Sequence, residues 1–320
     1  MDCILLMTRK LKYIIILVLS ILTTSTMLLK AQEFPWTLQY LTNMNTINPA
    51  FVGMHDKAGL MVSLRRDYVW IAGSNMFQQC SYQTPIRDTK SSVALNLTKR
   101  NIGYEKQLFL TFDYSYQIRL DLYNYLRFGF RAGVANYGNN MSDYRLYPDG
   151  IPDSQFMADV NNYYMTAFGV GALVFNDDYY VSVSVPQVVN NTFQVNRTGY
   201  SSLQEFKTLY LMGGYVIKLP FGFQLRPNVL LVGTVSKPLS FDMGAVLYMP
   251  NNLNLGINAR SNGSFCLSGQ YVFQNNLKMG FAADYSVFQD IRKFQIGTYE
   301  VNVTYEFNIY RKSGGRPNYF

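Results

Sequence analysis

The sequence predicts an all-β fold, a transmembrane antiparallel β-barrel of about 14 strands with a short N-terminal periplasmic extension. Three observations predict it. Apolar and polar residues alternate with a period of two from Gly59 to Tyr310. The alternating segments have roughly 9–13 residues, near the length of a tilted strand that crosses a bilayer. Tyrosines lie near the segment ends, where membrane barrels carry aromatic girdles. A soluble β-sandwich also alternates, but its strands are usually shorter.

The composition excludes several other classes of protein. With 320 residues, 48% hydrophobic and 15% charged, the chain is too apolar to be disordered. It is also too polar for several membrane helices. His55 is the single histidine, which argues against most metal sites and against Ser-His or Cys-His enzymes. The net charge of +8 includes no run of basic residues interleaved with aromatic residues on a loop, so we expect no nucleic-acid partner. We also expect no cofactor and no small-molecule substrate.

The first segment, residues 1–31, is predicted to be a signal peptide. Arg9, Lys10 and Lys12 precede an apolar run from residue 13 to 22, and Ala31 is a small residue at the expected cleavage point. The alternative is an uncleaved anchor helix. Cys80 and Cys266 remain after cleavage, and we expect two packed thiols, with a disulfide as the alternative.

The second segment, residues 32–57, is predicted to be a periplasmic extension. It is polar, aromatic and rich in turn residues, and its pattern is typical of neither strand nor helix. Asn48-Pro49 indicates a turn within it.

The barrel is predicted to span residues 58–310, followed by a C-terminal tail over 311–320. In one strand, apolar residues at even positions from Leu108 to Ile118 alternate with residues such as Thr111 and Asp113. The 14 predicted strands are 58–69, 76–86, 91–101, 106–119, 124–137, 164–175, 179–187, 206–218, 222–234, 240–249, 253–261, 264–273, 277–287 and 297–310.

The connections predict the orientation of the barrel. Those after even-numbered strands are short and rich in Asn, Asp and Pro, whereas long connections over 138–163 and 188–205 follow odd-numbered strands. Short periplasmic turns and longer outer loops are typical of barrels in the outer membrane of Gram-negative bacteria. The extension is therefore expected in the periplasm. The tight turn Ser261-Asn262-Gly263 is an exception on the outer side.

Charged residues on the polar faces of the strands are expected to line the lumen. One interpretation is a selectivity ring or substrate path, and the other is a salt-bridged lumen that holds the barrel rigid. The charges in question are Arg127, Arg131, Asp113, Arg226, Asp242, Arg260, Asp284 and Glu300, together with Lys278 and Glu306.

Two motifs near the predicted mature N-terminus resemble those of a known family. Pro-x-x-x-Gln-Tyr over residues 35–40 is followed by Asn-Pro-Ala-Phe-x-Gly over residues 48–53. With Thr84-Pro85-Ile86, Leu225-Arg226-Pro227-Asn228 and other pieces in order, the chain resembles the PorP/SprF family of type IX secretion system membrane proteins. The resemblance implies an outer-membrane barrel of the secretion and gliding machinery. It also implies periplasmic type IX partners, including a peptidoglycan-binding lipoprotein, and a cargo adhesin.

The extension also carries aromatic residues that have no predicted strand. We therefore expect the segment from Trp36 to Gly53 to pack against the periplasmic mouth and to dock a partner. The alternative is a lumen plug that serves only barrel stability. The expected docking residues are Trp36, Gln39, Tyr40, Asn48, Pro49 and Phe51.

The functional expectation is a monomeric, non-catalytic barrel that scaffolds periplasmic partners and supports export or surface attachment of cargo adhesins. The alternative is a passive channel for small or hydrophobic solutes, and a third possibility is a membrane enzyme. Core component and cargo-dedicated paralogue both remain open. His55, beside Asp56, is expected to be a solvated loop residue rather than a ligand or a general base.

Overall fold

A computed structural model describes residues 37–140, 143, 150, 159–188, 192–194, 201–204, 207–235, 238–286 and 297–307. The predicted signal peptide over 1–31, Trp36 and the predicted tail over 311–320 lie outside the described residues. In the described part, 17 strands are present. They are β1 (Ala58–Asp67), β2 (Met76–Pro85), β3 (Ser91–Ile102), β4 (Glu105–Arg119), β5 (Tyr125–Asn139), β6 (Val160–Phe175), β7 (Tyr179–Val185), β8 (Thr192–Gln194), β9 (Ser201–Gln204), β10 (Thr208–Tyr215), β11 (Ile217–Lys218), β12 (Gln224–Thr234), β13 (Ser240–Tyr248), β14 (Leu253–Arg260), β15 (Ser264–Val272), β16 (Leu277–Ser286) and β17 (Thr298–Phe307).

Fourteen of these strands form one closed antiparallel barrel, as the sequence predicts. Each pairs with its neighbour along the chain, and β10 pairs with both β7 and β12. The first and last strands close the ring, with Ala58 opposite Phe307 and Asp67 opposite Thr298. Closure satisfies the backbone N–H and C=O groups without an exposed edge, which hydrocarbon requires.

The two faces of the strands differ in chemistry. On β4, Leu108, Leu110 and Phe112 are exposed on the outward face, whereas Asp113 and Ser115 are completely buried on the inward face. Outward apolar side chains suit contact with lipid, and inward polar ones line the lumen. The alternation therefore places every second residue of a strand inside the barrel.

The two ends of the barrel differ in their connections. The short-turn end carries turns over 86–90, 120–124, 176–178, 219–223, 249–252 and 273–276. Asn252 and Asn276 adopt positive φ there (64° and 62°), a conformation that asparagine tolerates better than most residues. The opposite, long-loop end carries the connections 68–75, 140–159, 186–207 and 287–297. Gly103-Tyr104 joins Ser261-Asn262-Gly263 there as a second tight turn.

Some boundaries differ from the prediction. β6 begins at Val160, four residues before the predicted start at 164. The predicted strand 206–218 is interrupted after Tyr215, so that β10 and β11 are separate. The predicted loop 188–205 contains the hairpin of β8 and β9, which pair with each other and not with the barrel.

The two cysteines lie on opposite faces and are both free. Cys266 is buried on the inward face, as expected of a packed thiol. Cys80 is exposed on the outward face of β2, where it continues the lipid-facing row that includes Tyr82. The expectation of a packed thiol is therefore wrong for Cys80, because its position in the alternation points it away from the lumen.

The described part of the extension, from residue 37 onwards, lies inside the barrel and not at its mouth. Residues 37–54, here called the plug segment, have side chains that are mostly buried and contact inward residues around the ring. The segment contains two 3-10 turns, η1 (Met44–Thr46) and η2 (Pro49–Phe51), whereas the sequence pattern indicated no helix. Because the plug segment pairs with no strand, its apolar and aromatic side chains are removed from water by packing inside the lumen.

Candidate functional site: the plugged lumen

The lumen wall is cross-linked by buried ion pairs. Arg131 binds Asp113 in a bidentate manner, with both N–O distances at 2.7 Å. Arg260 bridges two carboxylates at 3.0 Å, those of Asp242 and Asp284. Two parallel hydrogen bonds from one guanidinium fix the geometry as well as neutralise the charge. The wall is therefore braced between neighbouring strands.

A second group of arginines holds the backbone of the plug segment. Arg127 donates to the carbonyl oxygen of Val52 at 2.8 Å. Arg131 also donates to the carbonyl oxygens of Asn45 and Thr46, at 2.7 and 3.1 Å. Arg226 donates to the carbonyl oxygen of Leu41 at 3.0 Å. A buried carbonyl in a turn needs a donor from outside the turn, and these guanidinium groups supply it.

The beginning of the plug segment is fixed by Glu300. Its carboxylate accepts hydrogen bonds from the Thr37 hydroxyl and the Leu38 backbone N–H. The Ser63 hydroxyl donates to the same carboxylate at 3.3 Å. Gln39 donates to the Glu300 carbonyl oxygen at 3.3 Å. Glu300 is therefore satisfied mainly by the plug segment, although it is a residue of the barrel wall.

Tyr40 is completely buried and joins the polar network of the opposite wall. Its phenol oxygen accepts a hydrogen bond from Asn258 at 3.0 Å, and Asn258 also donates to Asp242 at 2.8 Å. Burial, followed by the nearby Asp242 charge, raises the pKa of the Tyr40 phenol well above its usual value. Both effects disfavour the phenolate, so Tyr40 stays neutral at physiological pH.

Asn48 fastens the middle of the plug segment to two barrel strands. Its side-chain oxygen accepts from the Ala50 N–H at 2.8 Å and so caps η2. Its amide nitrogen donates to the carbonyl oxygens of Ala172 and Val183, at 3.1 and 3.2 Å. The Asn48-Pro49 pair thus lies in a turn, as predicted. The Asn48 side chain forms hydrogen bonds both within this turn and to the barrel wall.

Two inward glycines leave room for this turn. A Cβ on Gly129 would overlap the backbone of Pro49 and Ala50, and a Cβ on Gly171 would overlap the Asn48 side chain. No role is assigned to either glycine from the sequence alone. The signal that identifies both is a glycine at an inward position of a strand, where a side chain is otherwise expected.

An apolar cluster completes the contact between the plug segment and the wall. Phe51 packs edge-to-face on Tyr180, with ring centroids 5.8 Å apart and an interplanar angle of 79°. Leu41, Met44 and Ile47 belong to the same buried cluster. Its members from the wall include Leu173, Met212 and Leu230. The plug segment is therefore held by burial of apolar surface as well as by hydrogen bonds.

The short-turn end retains a small cavity of about 60 Å³ between the plug segment and the wall. Asn45 and His55 line it on one side, and Arg226, Lys278 and Glu306 on the other. His55 Nδ1 lies 3.4 Å from Glu306, and Lys278 lies 2.6 Å from the same carboxylate. The expectation that His55 is a solvated loop residue is therefore wrong, because it packs against a buried carboxylate. The cavity has room for a few water molecules.

The predicted site residues thus fall into two groups. The charges predicted for the lumen all lie on inward positions, and their contacts include ion pairs with each other, hydrogen bonds to polar wall residues and hydrogen bonds to the plug segment. Of the expected docking residues, Trp36 lies outside the described part. The others are buried against the wall, namely Gln39, Tyr40, Asn48, Pro49 and Phe51. Their docking role stays a prediction, and the structure does not bring them to the periplasmic surface.

In the described part of the chain, no helix is long and apolar enough to cross a membrane. Among the same residues, no group of three or more His, Cys, Asp or Glu side chains is placed to hold a metal ion.

The fold and the site define a class: a β-barrel of the outer membrane whose lumen is filled by its own N-terminal segment. The family model for "Type IX secretion system membrane protein PorP/SprF" matches residues 29–305. The chain therefore belongs to the PorP/SprF family, as its motifs indicate. Family and fold are those of a secretion or channel protein. A comparison with curated proteins returns no match.

Solved structures with a similar fold are outer-membrane barrels. The CymD monoaromatic hydrocarbon channel is 10% identical, with a TM-score of 0.51, over 87% of this chain and 95% of that one. The KdgM porin is 9% identical, with a TM-score of 0.39, over 78% and 99%. OmpF of Salmonella typhi is 9% identical, with a TM-score of 0.37, over 78% and 96%. The CymD likeness supports the fold alone.

Proposed function

We propose that this protein serves type IX secretion as a non-catalytic, non-conducting scaffold in the outer membrane. The barrel fixes a position in the membrane, its short-turn end holds periplasmic partners of the secretion system, and its long-loop end meets the cargo adhesin. The observation that carries the proposal is the plugged lumen, in which three arginines hold backbone carbonyls of residues 37–54.

A plug held in this way argues against a solute path at rest. Removing it breaks the hydrogen bonds of Arg127, Arg131 and Arg226 and exposes the apolar cluster around Phe51. Water that enters an opened lumen would hydrate the freed arginines, so the main loss is the apolar burial around Phe51. A passive channel does not require a plug held in this way, whereas the plug makes the ring of strands of a scaffold rigid.

The surface offered to periplasmic partners is then formed by the turns of the short-turn end. Leu122 and Tyr123 on the β4–β5 turn are 72% and 75% exposed, and Phe221 on the β11–β12 turn is 91% exposed. Large apolar side chains exposed on a few neighbouring turns mark an interaction site more often than isolated ones do. We assign docking of a periplasmic partner, such as the lipoprotein that the family implies, to these turns.

The turns are connected to each other, which suits a docking surface. Asn176 of the β6–β7 turn donates to Asn124 of the β4–β5 turn at 3.3 Å. On the other side, the Val216 N–H donates to the carbonyl oxygen of Asp178 at 2.6 Å, and Lys218 pairs with Asp178 at 2.9 Å. Three successive turns are therefore held in one arrangement before any partner arrives, which lowers the entropy cost of binding.

The first experiment measures conductance of the purified barrel in planar bilayers. We expect the wild-type protein to be silent and a variant that lacks residues 37–54 to form steady pores. Large steady pores from the wild-type protein would favour the passive channel and refute the non-conducting scaffold.

The second experiment measures co-purification of periplasmic type IX components with the barrel. We expect the triple variant Leu122→Ser, Tyr123→Ser, Phe221→Ser to lose them. A matched control at the opposite end is Trp70→Ser with Ile71→Ser, since these side chains are also exposed. Equal loss with both variants, or loss with neither, would contradict docking at the short-turn end.

A further inference from the structure

Three cations on the outward face cluster at the long-loop end of neighbouring strands. Arg66 ends the lipid-facing row of β1 and Lys106 that of β4, Lys99 is the last but one residue of the row on β3, and all three side chains are exposed. Each stands two residues beyond an exposed leucine on the same face of its strand. These leucines are Leu64, Leu97 and Leu108.

The strand register brings the three cations into one patch. Arg66 lies opposite Met76, Met76 opposite Asn101, and Asn101 opposite Lys106, so that these four residues form a row across β1–β4. Strands are about 4.8 Å apart, which separates the ends of the row by about 14 Å. Lys99 lies two residues from Asn101 on β3, one step closer to the apolar band.

No acidic residue shares this face. The outward positions of β1–β4 carry no Asp or Glu in the described ranges. The carboxylates adjacent to Arg66 and Lys106 in the chain, Asp67 and Glu105, occupy inward positions, and Asp67 is bound by Arg65 and Asn75 at 2.7 and 2.8 Å. The positive charge of the patch is therefore directed toward the membrane interface without an internal counter-ion on that face.

Within the described strands, the patch is confined to one side of the barrel, and Lys207, an exposed residue just before β10, is a single cation at the same end outside the patch. At the same end, the last outward residue of each of the other ten barrel strands is uncharged. These residues are Gly138, Asn162, Val185, Leu209, Gly233, Phe241, Ala259, Phe265, Tyr285 and Tyr299. A general preference for cations at the interface would distribute them around the ring, so the clustering indicates a specific ligand.

We propose that Arg66, Lys99 and Lys106 bind the phosphorylated head group of a glycolipid in the outer leaflet. The long-loop end faces outward in outer-membrane barrels, and the outer leaflet there presents phosphates on sugar head groups. The cations bind the phosphates, while the acyl chains lie on Leu64, Leu97 and Leu108. On each of the three strands a cation stands directly beyond a leucine on the same face. This arrangement matches a ligand with an anionic head group and an apolar tail.

The test uses the purified full barrel, stripped of lipid and placed in phosphatidylcholine nanodiscs that contain phosphorylated lipid A. Native mass spectrometry measures the lipid A bound. We expect the variant Arg66→Gln, Lys99→Gln, Lys106→Gln to bind about 100-fold more weakly, since each surface cation contributes roughly a factor of five. Lys106→Gln alone is expected to lose about fivefold, which keeps the test valid if the triple variant does not fold.

The controls separate this site from general charge. The variant Arg87→Gln with Lys90→Gln removes two exposed cations at the opposite end and is expected to bind as the wild-type protein does. The wild-type protein is expected to bind dephosphorylated lipid A as weakly as the triple variant binds phosphorylated lipid A. The proposal is overturned if the wild-type protein binds dephosphorylated and phosphorylated lipid A equally well. It is also overturned if the Gln variants of the patch bind phosphorylated lipid A as tightly as the wild-type protein does. Displacement by an equal concentration of inorganic phosphate assigns the site to free phosphate and overturns it as well.

Discussion

Arg131 and Asp113 form a bidentate ion pair across neighbouring strands, and the same guanidinium also binds the plug segment. Both N–O distances of the pair are 2.7 Å, and Asp113 is completely buried. One arginine therefore connects the barrel wall to the carbonyl oxygens of Asn45 and Thr46. Wall stability and plug closure are coupled through this residue.

Replacing Arg131 tests that coupling. We expect Arg131→Met to lower the free energy of unfolding by about 3–5 kcal/mol, because it leaves the Asp113 charge buried without its partner. Urea denaturation in detergent, followed by the shift of the folded band on gels, measures the loss. Arg131→Lys keeps the charge but not the bidentate geometry, so we expect an intermediate value. Arg119→Met, at an exposed strand end, is the control and is expected to change little.

Gly129 tests whether the plug segment fills the lumen as described. Gly129→Ala places a methyl group on the backbone of Pro49 and Ala50, so we expect lower stability and a leaky lumen in bilayer recordings. In the variant that lacks residues 37–54, the same substitution has nothing to overlap and should leave stability unchanged. Gly269→Ala is the matched control, since its Cβ makes only an ordinary contact with Leu255 at 3.6 Å. Equal destabilisation by Gly129→Ala with and without the plug segment would contradict the contact.

Through Tyr40, we expect the stability of the folded barrel to fall at alkaline pH. The pKa of the Tyr40 phenol is raised in the folded state, so above the ordinary tyrosine pKa of about 10 the unfolded chain loses this proton first. The folded state then binds more protons than the unfolded state, and stability falls as pH rises. We expect Tyr40→Phe to lose less stability than the wild-type protein between pH 9 and pH 11. Parallel urea midpoints for both proteins at the two pH values measure this, and identical slopes would refute it.

The sequence alone predicts the barrel wall well, for a physical reason. Lipid outside and a polar lumen inside impose opposite chemistry on successive residues, so the alternation over residues such as Leu110 to Asp113 encodes both the strands and their faces. The inward direction of Arg127, Arg131 and Glu300 follows from the same pattern. Turn residues such as Asn252 and Asn276 then define the short-turn end.

The plug segment was not predictable in the same way. Its position depends on contacts between residues far apart in the chain, such as Tyr40 with Asn258 and Asn48 with Ala172. No periodicity marks a segment made of turns, and an aromatic, polar stretch suits a docking surface as well as a filled lumen. Inward glycines such as Gly129 and Gly171 carry the one local signal, because they mark the places where another backbone approaches the wall.

The two cysteines test the assignment of faces directly. Cys80 faces outward and Cys266 faces the filled lumen, so the two cannot form a disulfide without rearranging the barrel. We expect the native protein to show no change in mobility on reduction. In detergent at alkaline pH, a small uncharged maleimide should label Cys80 faster than Cys266, because the reagent can reach the outward face but not the filled lumen. Labelling of Cys266 should rise in the variant that lacks residues 37–54, since Leu38 packs against this thiol. Rapid labelling of Cys266 in the intact barrel would mean that the lumen is open.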